Sequence, residues 1–378
     1  MSKLYFSENR QATWLELFFD LVFVAVIGVI SHSLSHTEHN HISIESLFSF
    51  FLVFVPLWWV WASYTLYLNR YDQMSHYQKY ITLGLMGLII AQMYFTKDAL
   101  NSYFVYFLIF YTLMRLLISL AYIFSACCFE FKKRYALKMS RIILFGAFIS
   151  GLSLFVDGHL RILILYLGII VDIVLQVRLK EEISKFSVHI KHLTERVGLL
   201  ALIILGESII TIVNSFASIK QFNILDIVDA VVGFILIAQI WWIFFGSLHR
   251  LEKAKNLKTG YVLILSHLPF YIGLIFLASL IHYSIIDDLN QRTFALMAIT
   301  GMALFYIGKQ IPYLVAFPPY RWGIVFNSIV SISITAIASF CPKIEYSLII
   351  MSLGLFVYIQ LNVCWLIPTF DIDEYLTK

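Results

Sequence analysis

The sequence predicts an all-α polytopic transmembrane bundle of about twelve helices, and three observations predict it. Sixty per cent of the 378 residues are hydrophobic, 13% are charged and the mean hydropathy is +0.83, against about 45–50% apolar and about 25% charged in soluble domains. Apolar runs of about 20 residues, the length that crosses a bilayer, recur along the whole chain. Basic residues concentrate in alternate connections, as the excess of Lys and Arg in cytoplasmic loops requires.

The first helix is expected over residues 14–33, within TWLELFFDLVFVAVIGVI. Lys3 and Arg10 precede it as in a signal peptide, but two acids inside the apolar stretch and the lack of a small-residue cleavage pattern mark it as retained. Apolar runs bounded by polar clusters place the others at 44–68, 80–97, 103–124, 141–156, 160–178, 197–217, 223–247, 260–284, 292–310, 322–340 and 345–367. The run at 141–156 is short, which suits a tilted or partly buried helix. No stretch remains for a sizeable soluble domain. Trp58 and Trp59 followed by Arg70 echo Trp241 and Trp242 followed by Arg250, and a shift of about 180 residues brings Glu16 onto Glu195. The expected organisation is therefore one integral membrane unit with a first six-helix half, 1–190, and a second, 191–378, as parallel repeats.

With these helices, 21 of the 27 Lys and Arg residues fall on one side and five on the other, Arg115 being left in mid-helix. Both termini are then cytoplasmic, and the loop HTEHNH, His36 to His41, lies outside. The net charge of +4 is spread over short connections with no basic patch interleaved with aromatics, so nucleic acid is not an expected partner. The expected partners are the lipid bilayer and an unidentified small solute or ion, with oligomeric state left open. Cys127, Cys128, Cys341 and Cys364 form neither a CxxC motif nor a disulfide framework. The adjacent pair beside a basic loop is compatible with palmitoylation, although buried or lipid-facing thiols are the plainer reading.

Ionisable residues inside the spans are the candidate functional groups, because charge in hydrocarbon is retained only where it is paired or wet. Glu16 and Asp20 share a helical face; the helix end accounts for Glu16, while Asp20, a turn deeper and too short to reach the interface, asks for a donor or water. Glu207, in LGESII beside Gly206, lies near the middle of its helix. Arg115 and Asp172 fall halfway along theirs, and the counter-ion of Arg115 is Asp172 or Glu207. His267 precedes Pro269, whose missing N–H frees the carbonyl of Leu265. His32, His282, His36, His39 and His41 are compatible with a metal, although a solvated polar loop explains the last three as well. The sequence leaves any cofactor unknown, and no nucleotide-binding, HExxH or GxSxG motif appears.

Three stretches carry a resemblance: TWLELFFDLVFVAVI, YLNRYD at Tyr67 to Asp72, and ERVGLLALIILGESI at Glu195 to Ile209. Together they resemble the bacterial low temperature requirement protein A (LtrA) family, over essentially the whole chain. The resemblance implies a multi-pass inner-membrane protein, with Glu16, Asp20, Asn69, Arg70, Asp72, Glu195, Arg196, Glu207 and Ser208 as matching polar positions. Gln73 and Met74 stand where further acids are expected, which argues against an acidic cluster there. The function favoured is a proton- or ion-linked secondary transporter with Asp20, Glu207 and His267 around a central cavity. The alternatives are an intramembrane enzyme or a cofactor- or lipid-binding protein using the same groups, or a structural or signalling protein whose buried charges fix helix packing.

Overall fold

A computed structural model describes residues 10–34, 41–71, 75–179, 186–219, 224–286 and 288–369. Among them are twelve long helices: α1 Trp14–Leu34, α2 Ile44–Arg70, α3 His76–Phe95, α4 Phe104–Cys128, α5 Lys133–Gly151, α6 His159–Arg178, α7 Ile190–Ser218, α8 Ile224–Glu252, α9 Tyr261–Ile286, α10 Gln291–Ala316, α11 Arg321–Ile337 and α12 Ile344–Leu361. Ten helical segments are long and apolar enough to cross a membrane. The expectation of an all-helical, membrane-integral chain is met.

Some helices run past the apolar runs, because polar residues that make tertiary bonds extend them, while those expected to reach 97, 156, 340 and 367 end at Phe95, Gly151, Ile337 and Leu361. The helix expected from 197 begins at Ile190, so His192 and Arg196 lie in its first turns. That expected at 223–247 reaches Glu252, which draws Arg250 inside a helix, and that at 292–310 reaches Ala316, which leaves Lys309 well short of the helix end. The short run at 141–156 belongs to a helix that starts at Lys133 and is amphipathic at first: Tyr135, Ala136 and Met139 are buried while Arg134, Lys138 and Arg141 turn outward or to the margin.

The chain divides into two compact units. Unit 1 holds the described residues of Met1–Ile30, Phe48–Arg196 and Lys258–Tyr261. Its enclosed element is α2, buried on every side from Pro56 to Arg70, as a helix that is apolar all round should be. Helices α3 to α6 pack in sequence order. Small residues bring α5 and α6 together: a Cβ on Gly146 would lie 2.6 Å from that of Asp172, the close approach that membrane helices use in place of a hydrophobic driving force. Lys258–Tyr261 is bound into this unit by Val188 N–H donating to the Lys258 carbonyl at 3.0 Å. Its Gly260 has φ +77°, and a Cβ there would strike Leu193 at 2.9 Å, so only glycine makes the turn into α9.

Unit 2 holds Ser31–Leu47, Val197–Leu257 and the described part of Val262–Lys378. Its enclosed helix is α9, most of whose apolar length is buried. A Cβ on Gly273 would lie 2.5 Å from the Phe305 amide nitrogen, so α9 and α10 meet backbone to backbone. α12 packs against α8 and α11, and its last turn widens into a π-helical segment, Asn362–Leu366.

Candidate functional site

Unit 1 carries two buried ion networks on opposite faces of α2. Residues 59 and 63 share one face of that helix, and 61, 65 and 69 the other, because i and i+4 stack while i and i+2 diverge.

The first network is built on the amino end of α1. Thr13 and Glu16 form a reciprocal capping box: Glu16 Oε2 accepts from the Thr13 N–H at 2.8 Å, and the Glu16 N–H donates to Thr13 Oγ1 at 3.3 Å. The other oxygen, Oε1, faces His192 Nε2 at 3.1 Å, Arg196 Nη1 at 3.3 Å and Arg10 Nη2 at 3.5 Å. One turn on, Asp20 is clasped by Arg196, whose Nε donates to Oδ2 and Nη2 to Oδ1, each at 2.7 Å; Trp61 Nε1 donates to Oδ1, also at 2.7 Å. This bidentate fork is the strongest form of a carboxylate–cation bond. Glu16, Asp20 and Arg196 are each no more than 4% exposed.

Asn69 orients the histidine. Its Oδ1 accepts from the His189 N–H at 2.8 Å, which fixes the amide, and its Nδ2 therefore donates to the His189 carbonyl and to His192 Nδ1, at 3.0 and 2.9 Å. With Nδ1 accepting, the ring hydrogen sits on Nε2, the nitrogen that lies 3.1 Å from Glu16 Oε1. Arg10 Nη1 and Nη2 donate to the carbonyls of Asn69 and Leu68, and Lys132 Nζ to that of Arg70. These are the last carbonyls of α2, which have no partner within the helix and carry its negative end. Arg70 is 1% exposed and meets no carboxylate among the described residues; it donates to the carbonyls of Leu66 and Thr259 and lies over the Tyr261 ring. Glu195 accepts from the Ala12 N–H at 3.2 Å.

The second network answers which acid faces Arg115. Its guanidinium bonds Asp172 Oδ2 through Nη2 and Ser63 Oγ through Nη1 at 2.8 Å. Asp172 also accepts from Trp59 Nε1 at 2.7 Å and from Gln176 Nε2 at 2.8 Å, and Tyr261 donates to Gln176 Oε1 at 2.9 Å. Both networks balance in formal charge: Arg10 and Arg196 against Glu16 and Asp20, and Arg115 against Asp172. Donors occupy the oxygens of Asp20 and Asp172, all but Gln176 from neighbouring helices.

Unit 2 treats its ionisable groups differently. Glu207, well inside α7, is half-buried, and its carboxylate makes no hydrogen bond or ion pair among the described residues. Gly206 beside it faces open space, while Ser208 bonds the Ile204 carbonyl. His267 is 1% exposed between Phe244, Phe270 and Tyr271. Its Nδ1 donates to the Leu263 carbonyl at 2.6 Å, leaving Nε2 as an enclosed acceptor with no partner.

Of the sequence-derived groups, the structure brings together Glu16, Asp20, Asn69 and Arg196, and separately Arg115 and Asp172; Glu207 and His267 belong to unit 2. Asp72, His36, His39 and the side chain of His32 lie outside the described residues. His41 bonds Asn290 and Thr293, His282 bonds Ser215, and no group of three metal-ligating side chains occurs among the described residues. Sequence reasoning passed over His192, Arg10 and the indole donors of Trp59 and Trp61. The signal for His192 was its place four residues before Arg196, on the face that Arg196 presents to the acids.

The family model for the bacterial low temperature requirement A protein (LtrA) matches residues 11–359. The chain is also similar to the uncharacterized protein RA0937 of Rhizobium meliloti (strain 1021), at 24% identity over 383 residues, covering 94% of this chain and 91% of that one.

Proposed function

The chain belongs to the bacterial low temperature requirement A (LtrA) family, and from that premise we propose that this integral membrane protein is a proton- or ion-linked secondary transporter with Glu207 as its essential acid. The observation that carries the reading is the contrast between Glu207 and the other acids. Glu16, Asp20 and Asp172 are met by two or more donors each, whereas Glu207 stands without one in the apolar length of α7. An acid in that position is retained where it meets water, a proton or a solute. In this reading unit 1 is the fixed ionic frame, and His267 Nε2 offers a second polar group in unit 2. The membrane is the bacterial inner membrane, with both termini cytoplasmic. Proteoliposomes loaded with a pH-sensitive dye and offered a panel of solutes test it: solute-dependent proton movement by the wild type and its loss in Glu207→Gln support the reading, and equal traces from wild type, variant and empty vesicles reject it.

A structural or signalling role is favoured by one observation, the saturation of Asp20 and Asp172 by donors. It predicts that no single neutralisation removes activity without also removing stability, which Glu207→Gln separates from transport because that carboxylate holds no partner.

A further inference from the structure

Unit 2 has an open-sided pocket of about 70 Å³ at the carboxyl ends of α8, α10 and α12, lined by Arg250, Lys309, Tyr358, Asn362 and, on its outer flank, Trp242 and Val363. Lys309 is 4% exposed. Its ammonium lies 3.4 Å from Tyr358 Oη and 4.5 Å from the centre of the Tyr313 ring, with no carboxylate in ion-pair range among the described residues. Arg250, in the last turn of α8, makes no hydrogen bond or ion pair there either, and its Nε is enclosed without a partner. Tyr358 Oη accepts from Gln310 Nε2 at 2.7 Å and from Lys309, so its own hydrogen is free to be donated. The helix ends supply only about half a negative charge each and only within their last turn, and the aromatic faces a weak attraction. Among the described residues, two cations and a hydroxyl donor therefore converge on one space with no acid in it.

An uncompensated buried ammonium costs several kcal/mol, so the arrangement asks for an anion. Phosphate is the chemistry that suits it, since a tetrahedral oxyanion takes donors arriving from three helices at once, and arginine and lysine are its usual partners. The rest of the lining points to the bilayer as a source. Trp242 is 60% exposed and Val363 49% exposed, an apolar flank beside a basic pocket, which is the pattern of headgroup sites between membrane helices. The π-helical segment Asn362–Leu366 opens α12 at this place, as such segments do at functional sites. We propose that Arg250, Lys309 and Tyr358 form a binding site for a phosphate group, supplied by an anionic phospholipid headgroup or by free phosphate. The site stands whether or not Glu207 carries transport.

The test measures thermal unfolding of the full chain in uncharged detergent with added phosphatidylglycerol, inorganic phosphate or diacylglycerol, for wild type, Arg250→Gln, Lys309→Met and the double variant. Phosphatidylglycerol is expected to raise the wild-type midpoint, and at least tenfold more of it to be needed for the same rise in the double variant. Lys309→Met is expected to be no less stable than wild type without ligand, since it removes a charge that nothing balances. A rise from phosphatidylglycerol but not from phosphate assigns the headgroup; an equal rise from inorganic phosphate assigns the free anion; both support the site. Should Lys309→Met fail to fold, Arg250→Gln alone carries the comparison. A rise with diacylglycerol equal to that with phosphatidylglycerol, or an unchanged response in the variants, overturns the proposal.

Discussion

Removing Arg196 alone is expected to be among the most damaging single changes in unit 1. Arg196→Met deletes both arms of the fork on Asp20 and one of two guanidinium contacts on Glu16, and leaves Asp20 enclosed with only the Trp61 indole as donor. Breaking a buried pair by removing one partner costs about 3–5 kcal/mol, because the remaining charge stays buried. Asp20→Leu leaves Arg196 with Glu16 at 3.3 Å and Thr65 at 3.4 Å, so its cost belongs at the lower end, about 3 kcal/mol. The double variant removes one charge of each sign and retains Arg10 and His192 on Glu16, so it is expected to lose no more than about 2 kcal/mol. The singles together then exceed the double, and the coupling is at least about 4 kcal/mol. Unfolding titrations in mixed micelles, run as a double-mutant cycle, measure it. Singles that each cost under about 1 kcal/mol, or a double equal to their sum, refute a fork that bears on stability.

Three further outcomes are expected. Arg115→Met is rescued by Asp172→Leu and not by Glu207→Leu in the same unfolding titration, because Asp172 alone of the two acids touches the guanidinium. Asp98, in the turn between α3 and α4, accepts from the Ser102 hydroxyl and N–H and from Asn101, which hold its carboxyl below the ordinary aspartate range. The carboxylate steadies that turn above the ordinary value of about 3.9, and the support is lost as pH falls through its lowered one; hydrogen exchange at Ser102, corrected for its intrinsic pH dependence, is expected to quicken there in wild type and not in Asp98→Asn. In single-cysteine variants on intact spheroplasts, an impermeant maleimide is expected to label Cys341, and to label the exposed Cys127 and Cys128 only after lysis; the reverse pattern inverts the proposed orientation.

Much of the helical plan is legible as hydropathy, since an apolar run of bilayer length has few alternatives. The ends are less so. Lys191, His192, Thr194, Glu195 and Arg196 read as a loop in any hydropathy window, yet they are the first turns of α7, because His192 and Arg196 find partners on α1 and α2. The capping box in Thr13-Trp14-Leu15-Glu16 is visible in sequence, and the helix end does account for one oxygen of Glu16; its other oxygen faces residues nearly 180 positions away, which no local pattern reveals. The same distance hides Trp61 and Trp59. As sequence they mark an interfacial aromatic belt, and in the fold their N–H groups reach Asp20 and Asp172 across 41 and 113 residues. Lys309 and Arg250 count as ordinary cytoplasmic-side cations in a charge tally, and only the extension of α8 past 247 and the packing of α8 beside α10 place them on a shared pocket.

Water at Glu207 is the most direct measure of the transport account. In a background lacking the four native cysteines, Glu207→Cys is treated with small charged thiol reagents in oriented vesicles, with Leu205→Cys as the enclosed control. A wetted pathway predicts rapid modification at 207 from at least one side, quenched by transported solute, and little at 205. A residue 207 as inert as 205 from both sides contradicts it.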